Sequence, residues 1–377
     1  VTPNAPSSRP LRVLVDAAIL KPDLMGIRTY IVGMLSGLAR QADVEVVVAT
    51  SRPEDLEGAG ELEVVTLPSG VQDFRRRAVW RERFLDGLVS RTRTDIVLAP
   101  VPELPFRRLR VPAIIVVHDV TQILAPALMG RLRWLRATLD LPRATSAASA
   151  VVCVSHATLA MLHSTVGVDP TRCVVIPEGP QLLLATDHDE GSLETEPFFL
   201  YAGTLLRHKN LPTLLRAFAL TDPAIPARLV MVGPASDREL GELHRLREEL
   251  GLGDRIVHRG LVSTEELGRL YADAVAVVSP SLQEGFGLPL LEAMAAGAPA
   301  IVSDLPAFRE VGGDAARYVV EPLNPRRWRE KLCELAGDVE LRRTLGVRGR
   351  EQARHFTWET VGQRFADLAF SVAGRPR

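Results

Sequence analysis

Short strand-like runs, most of them rich in valine, isoleucine and leucine, recur thirteen times along the 377-residue chain, and helical patterns separate them. Seven lie in the first half, at 11–15, 44–49, 63–67, 96–99, 114–117, 150–154 and 173–176. Six follow at 198–201, 228–232, 256–259, 275–279, 300–303 and 316–319. A strand that is apolar on both faces has to be covered on both, and crossover helices such as the pattern over 30–40 supply that cover. The spacing therefore predicts an α/β chain with two doubly wound, Rossmann-like parallel sheets. The polar, acidic stretch 185–197 separates the two series and reads as an interdomain linker. Ligand sites in such domains lie beyond the carboxyl ends of the strands, so facing domains would make a central cleft.

At this length each domain has its own core. A formal net charge of -1 argues against a dedicated nucleic-acid binder. The three cysteines, Cys153, Cys173 and Cys333, have no paired spacing that suggests a zinc site or disulfide framework. The first ten residues lack a signal pattern, and no apolar run approaches the roughly 20 residues that cross a bilayer. The reading is a cytoplasmic protein whose membrane contact, if any, is peripheral at the inner face. Lysine is confined to Lys21, Lys209 and Lys331, the rest of the basic charge being arginine.

Around the run 275–279, two glycines and two glutamates flank a helix start: Glu284-Gly285-Phe286-Gly287-Leu288-Pro289 and then Glu292. Leu290, Leu291, Met294 and Ala295 recur at helical spacing, and Pro289 suits a first turn. A helix start leaves N–H groups unpaired and carries partial positive charge, so the amides of Gly285, Phe286, Gly287 and Leu288 are expected to reach a diphosphate. Glycine lets the ligand come close. Glu292 is expected in the first turn, accepting from the hydroxyls of a ribose; Glu284 would do the same for a donor sugar. Read singly, each glutamate also fits a bland role, as a helix-dipole partner or a solvated loop residue.

The Glu-x7-Glu spacing with Gly-Phe-Gly-Leu-Pro inside it resembles the signature of family 4 retaining glycosyltransferases, which have the GT-B fold. The likeness continues through Ala293 to Pro299, Ser303-Asp304-Leu305-Pro306 and Glu310-Val311-Gly312-Gly313-Asp314. It implies an acceptor-side domain over 1–180, a nucleotide-sugar domain over 181–357, and a final helix in 358–377 crossing back to the first domain. It further implies a retaining, metal-independent hexosyltransferase moving mannose or glucose from a nucleotide diphosphate sugar, with no other cofactor, to a hydroxyl acceptor: a glycan, a lipid-linked sugar or a small-molecule glycoside. A GT-B-fold isomerase and a non-catalytic sugar-nucleotide-binding protein are the alternatives.

Gly203-Thr204-Leu205-Leu206-Arg207-His208-Lys209-Asn210 stands between a strand and a helical run, where cations would neutralise a leaving diphosphate. The resemblance gives Lys209 that role, with Gly203 and Thr204 in the same loop; many relatives carry arginine where this chain has Thr204 or His208, so the second cation is either displaced or supplied by Arg207. It also implies that His118, after the strand 114–117, touches the donor sugar, that Gly26 approaches donor phosphate and acceptor, and that main-chain atoms near Val262 read the base. Asp119 is expected to hold its loop. Pro177-Glu178-Gly179 departs from the family's Pro-Asn-Gly. No carboxylate pair reads as a glycosidase nucleophile and acid; by resemblance a diphosphate oxygen takes the acceptor's proton. The loops 20–30 and 120–133 are expected to hold the acceptor.

From Arg75 to Arg143 there are 14 arginines against 6 acidic residues, clustered at 75–77, 107–110 and 131–136. Such a surface attracts anionic lipid or a phosphate-bearing acceptor. With no aromatic residues interleaved as interfacial anchors, the solvated-face reading is preferred.

Overall fold

A computed structural model describes residues 9–21, 25–124, 131–181, 196–221 and 228–377. Most of the expected linker, and parts of the two loops assigned to the acceptor, lie outside the described residues. The chain divides into two compact units, 1–179 with 356–377, and 180–355.

In the first unit the strands are β1 Leu11–Asp16, β2 Val44–Thr50, β3 Glu63–Thr66, β4 Ile96–Ala99, β5 Ala113–Val117, β6 Ala150–Cys153 and β7 Cys173–Val175. Its helices are α1 Met25–Ala39, α2 Phe74–Trp80, α3 Asp86–Arg91, α4 Thr121–Leu124, α5 Arg131–Ala147 and α6 His156–Val166, with a π turn at Arg81–Leu85 joining α2 to α3. The sheet order is β3-β2-β1-β4-β5-β6-β7, every pairing parallel. β4, β5 and β6 are buried along their whole length, which is why they read as unbroken apolar runs rather than alternating ones.

The second unit has β8 Phe198–Ala202, β9 Arg228–Val232, β10 Ile256–Gly260, β11 Ala276–Ser279, β12 Ala300–Ser303 and β13 Arg317–Val319. Between and after them run α7 Leu211–Ala219, α8 Asp237–Glu249, α9 Thr264–Asp273, α10 Leu288–Ala296, α11 Pro306–Gly312, α12 Pro325–Gly337 and α13 Val339–Ala353. This sheet is also parallel, in the order β10-β9-β8-β11-β12-β13. Side-chain caps fix several helix starts. Ser236 and Glu239 form a reciprocal capping box on α8, and Ser263 accepts from the Glu266 amide at the start of α9.

The last helix, α14 Trp358–Val372, packs on α1 of the first unit. The approach depends on glycine: a Cβ on Gly37 would lie 2.0 Å from the Trp358 carbonyl oxygen, and one on Gly362 would lie 2.1 Å from the Gly37 backbone. Tyr30 meets the Trp358 ring edge-on at 5.8 Å.

The order of each sheet reverses once, between β1 and β4 in the first unit and between β8 and β11 in the second. At such a point the loops leaving adjacent strands run to opposite sides and open a crevice at the carboxyl edge. Both points carry charged residues.

Candidate functional site

In the second unit the crevice is built by the loops that leave β8 and β11. Gly203 donates its amide to the Val232 carbonyl at 2.8 Å, and the Tyr201 hydroxyl donates to the Thr204 carbonyl at 2.5 Å. The chain then makes a 3-10 turn over Arg207–Lys209 and enters α7 through Asn210, whose φ of 55° is left-handed. Asparagine tolerates that conformation better than most residues. Its amide nitrogen donates to the Pro322 carbonyl at 2.8 Å, and its side-chain oxygen accepts from the Thr213 hydroxyl at 2.7 Å. A buried asparagine thus sets the position of the lysine before it.

The loop after β11 is stitched to the first by the Leu282 amide, which donates to the His208 carbonyl at 2.8 Å. Across this seam the Lys209 ammonium lies 2.6 Å from Glu284 Oε1, and the Ser281 hydroxyl donates to the same oxygen, also at 2.6 Å. Both charged side chains are mostly buried yet keep an open edge, 17% for Lys209 and 14% for Glu284. The two residues singled out separately in the sequence, 75 positions apart, are one ion pair.

Gly287 caps α10 with φ 108°, and a Cβ there would lie 2.7 Å from the Phe308 ring. Glycine is required twice, by conformation and by space. Pro289 lies in the first turn of α10, as its fixed φ favours. The Phe286 ring is buried, so this residue offers a ligand only its backbone. Glu292 is not in the first turn: it is the fifth residue of α10, and buried. The helix begins at Leu288, because the loop glycines stay outside it. Glu292 accepts from the Tyr271 hydroxyl at 2.8 Å. Burial first, then the charge of Glu292, hold the Tyr271 hydroxyl well above its ordinary pKa, so it remains a donor.

Arg207 is exposed at the start of its turn, and Val262 is half-buried two residues beyond β10. Gly233, at the end of β9, was missed by sequence reasoning. It has φ 140°, and a Cβ on it would lie 2.1 Å from the Gly203 carbonyl oxygen. Its amide donates to Gly260 O as that of Gly203 donates to Val232 O, so the carboxyl edge from β8 to β10 is lined by glycine. The signal was a Gly-Pro pair directly after a strand.

The remaining expected residues lie in the first unit, where Gly26 is exposed in the opening turn of α1. His118 follows β5 with both ring nitrogens engaged, Nε2 2.9 Å from the Pro100 carbonyl and Nδ1 3.1 Å from Glu178 Oε1, and its ring meets Tyr30 edge-on at 4.5 Å. A carbonyl can only accept, so Nε2 carries a proton; an ionised Glu178 calls for a second on Nδ1. Burial alone pulls this imidazolium's pKa down. The hydrogen bond and charge of Glu178, the Pro100 carbonyl and Asp119 outweigh it, and the pKa is raised above 6.5. Asp119 also accepts from the Thr121 amide at 2.9 Å, which holds the turn after β5. A histidine whose folded pKa is raised contributes stability that is complete below its unfolded value and is lost as pH rises through the folded one. Hence the His118 ring should titrate above 6.5 by NMR, and Glu178→Gln should bring that midpoint down and flatten the loss of thermal stability above it.

The first unit's reversal point holds a buried ionic cluster that was not foreseen. Arg81, in the π turn, places Nε 2.5 Å from Asp16 Oδ2 and bonds Glu103 through Nη1, while Arg77 bonds both Glu103 oxygens at 2.8 and 3.0 Å. Arg77 thus leaves the surface cluster 75–77 in which the sequence had counted it.

These features define a class: two Rossmann-like units, the second with a cationic, glycine-lined carboxyl edge beside a helix start. Known proteins agree. The family model "Glycosyltransferase Family 4" matches residues 25–181, and "Glycosyl transferases group 1" matches 185–352. The chain is 26% identical over 329 residues to the O-antigen chain mannosyltransferase RfbU of Salmonella typhimurium, covering 85% of this chain and 90% of that one. It is 34% identical over 169 residues, 44% of each chain, to the O-antigen chain mannosyltransferase B of Escherichia coli. The structure of Anabaena HepE in complex with UDP and glucose superposes with a TM-score of 0.72 at 18% identity, over 96% of this chain and 100% of that one. The chain belongs to the family 4 glycosyltransferases with the GT-B fold and is a nucleotide-sugar glycosyltransferase. Among the described residues no helix is long and apolar enough to cross a membrane, and no group of three or more His, Cys, Asp or Glu is arranged to hold a metal.

Proposed function

We propose that the chain transfers a hexose of mannose or glucose type from a nucleoside diphosphate to a hydroxyl acceptor, with retention of configuration and without a metal ion. The observation that carries this reading is the Lys209–Glu284 pair at the reversal point of the second sheet, beside the start of α10. A diphosphate there draws the Lys209 ammonium and meets the amides of residues 285–288, which stabilise the charge that grows as the bond from C1 to the diphosphate oxygen breaks. Arg207 adds a second cation from the same turn. Glu284, held by Ser281, then accepts from sugar hydroxyls, and Glu292, oriented by Tyr271, accepts from those of the ribose. The acceptor oxygen bonds to C1 on the face the diphosphate leaves, and a diphosphate oxygen takes its proton. RfbU and the HepE complex support a hexose.

The test is donor consumption on GDP-mannose, UDP-glucose, ADP-glucose and dTDP-glucose, with and without EDTA. One hexose donor should be hydrolysed slowly, unaffected by EDTA, and release sugar of the donor's own anomeric configuration, read by proton NMR before mutarotation. Inverted sugar or loss of activity with EDTA would refute retention or metal independence. No consumption of any donor would refute the hexose assignment.

A further inference from the structure

The arginine-rich segment looks different once folded. Its acidic side chains are already committed: Glu82 accepts from the Phe106 amide at 2.8 Å, Asp86 holds Arg110 at 2.6 Å, and Asp140 holds Arg136 at 3.1 Å. Exposed arginines such as Arg75, Arg83 and Arg108 remain as a cationic surplus. The expectation that no aromatic residue interleaves with them is also overturned. Among the described residues the exposed phenylalanines are Phe84 and Phe106, and both fall here.

Phe106, 76% exposed, is the tip of the loop from β4 to β5, directly before Arg107 and Arg108. Leu135 and Leu139, 51% and 64% exposed, stand one turn apart on α5, with Arg143 a further turn on. Arg143 joins the two elements. It donates to the Leu104 and Pro105 carbonyls at 2.6 and 2.9 Å, and its guanidinium carbon lies 4.2 Å from the centre of the Phe106 ring. Three projecting apolar side chains are thus organised around one fixed arginine within a field of others.

We infer that this face, Phe106 with Leu135 and Leu139 and the arginines around them, docks on an anionic bilayer. The apolar tips enter the boundary between headgroups and acyl chains while the guanidinium groups hold lipid phosphates. The composition favours lipid over protein. The core of a protein interface is depleted in charge and needs roughly 1,000 Å², whereas an anionic leaflet rewards each nearby arginine with roughly a fivefold gain in partitioning. With no membrane-crossing helix among the described residues, the attachment is peripheral. It does not depend on which sugar the enzyme transfers.

Sedimentation of the full chain with vesicles tests this. Vesicles of phosphatidylcholine with about 30% phosphatidylglycerol should carry the protein down, pure phosphatidylcholine should not, and about 0.5 M NaCl should release it. Arg107→Glu with Arg108→Glu should weaken partitioning by about tenfold or more. Phe106→Ser with Leu139→Ser should weaken it several-fold with donor hydrolysis and melting temperature unchanged, as all these side chains are exposed. Failure to bind anionic vesicles overturns the inference, as does wild-type binding by the Phe106/Leu139 variant. A self-association abolished by that variant, in place of vesicle binding, would make the face an interface between copies and overturn it equally.

Discussion

Lys209→Ala lowers donor turnover by about two to three orders of magnitude, the usual cost of removing one preorganised group from a developing oxyanion. Glu284→Ala falls in the same range. Since Lys209 and Glu284 bond each other at 2.6 Å, stability and activity separate across the set. Each single variant strands one mostly buried charge and should melt lower, while Lys209→Ala with Glu284→Ala removes both and regains part of the loss. Turnover does not return in the double variant, because the pair's work on the diphosphate and the sugar has no substitute. A pair with a purely structural role would behave otherwise, with activity following the melting temperature. Melting and hydrolysis assays on the three variants distinguish the two. UDP or GDP at saturating concentration should raise the wild-type melting temperature and raise that of Lys209→Ala less, as linkage requires when the ligand binds the folded form more weakly.

The sheets were legible because their strands are buried on both faces, so Val/Ile runs such as 96–99, 228–232 and 300–303 mark themselves without help from partners. Local chemistry was equally legible: Pro289 at the start of a helix, and the loop glycines before it. Less visible was whatever depends on an element's exact start or on a distant partner. Glu292 shifted from the first turn to the second because Gly287, left-handed against Phe308, keeps the loop out of the helix. Its contact with Tyr271 comes from a different helix. Phe106 among arginines and Arg77 against Glu103 look alike as text, one exposed and one buried. A run of arginine codes for charge, and only the fold decides which members face water. Gly233 was legible in principle, as a glycine directly after a strand, but its reason, the 2.1 Å approach of the Gly203 carbonyl, is not local.

That nonlocal charge gives the first unit its largest expected response to acid. Burial by itself would push the Glu103 carboxyl upward; the charge of Arg81 and the hydrogen bonds and charge of Arg77 overcome it and hold the group at about 2, against an ordinary 4.5. A depressed folded pKa contributes stability above the unfolded value and loses it as pH falls through the folded one, so the loss runs from about 4.5 down to about 2. Among the described residues, buried Arg81 forms its ion pairs with Asp16 and Glu103. Glu103→Ala leaves two buried guanidinium groups short of a partner and should cost about 3–5 kcal/mol. Glu103→Gln keeps the shape but not the charge and should cost less. Calorimetry between pH 3 and 7 checks both claims: the wild-type transition should fall steeply at the acid end, while Glu103→Gln starts lower and falls less. Equal slopes for the two proteins would mean that the acid sensitivity resides in other carboxylates. Of the residues in this cluster only Asp16 lies at a strand end, so the π turn at 81–85 is what brings Arg81 to it. Straightening that turn by deleting one residue should displace the Arg81 guanidinium, destabilise the unit and weaken its acid response without touching Glu103, whose two bonds from Arg77 remain.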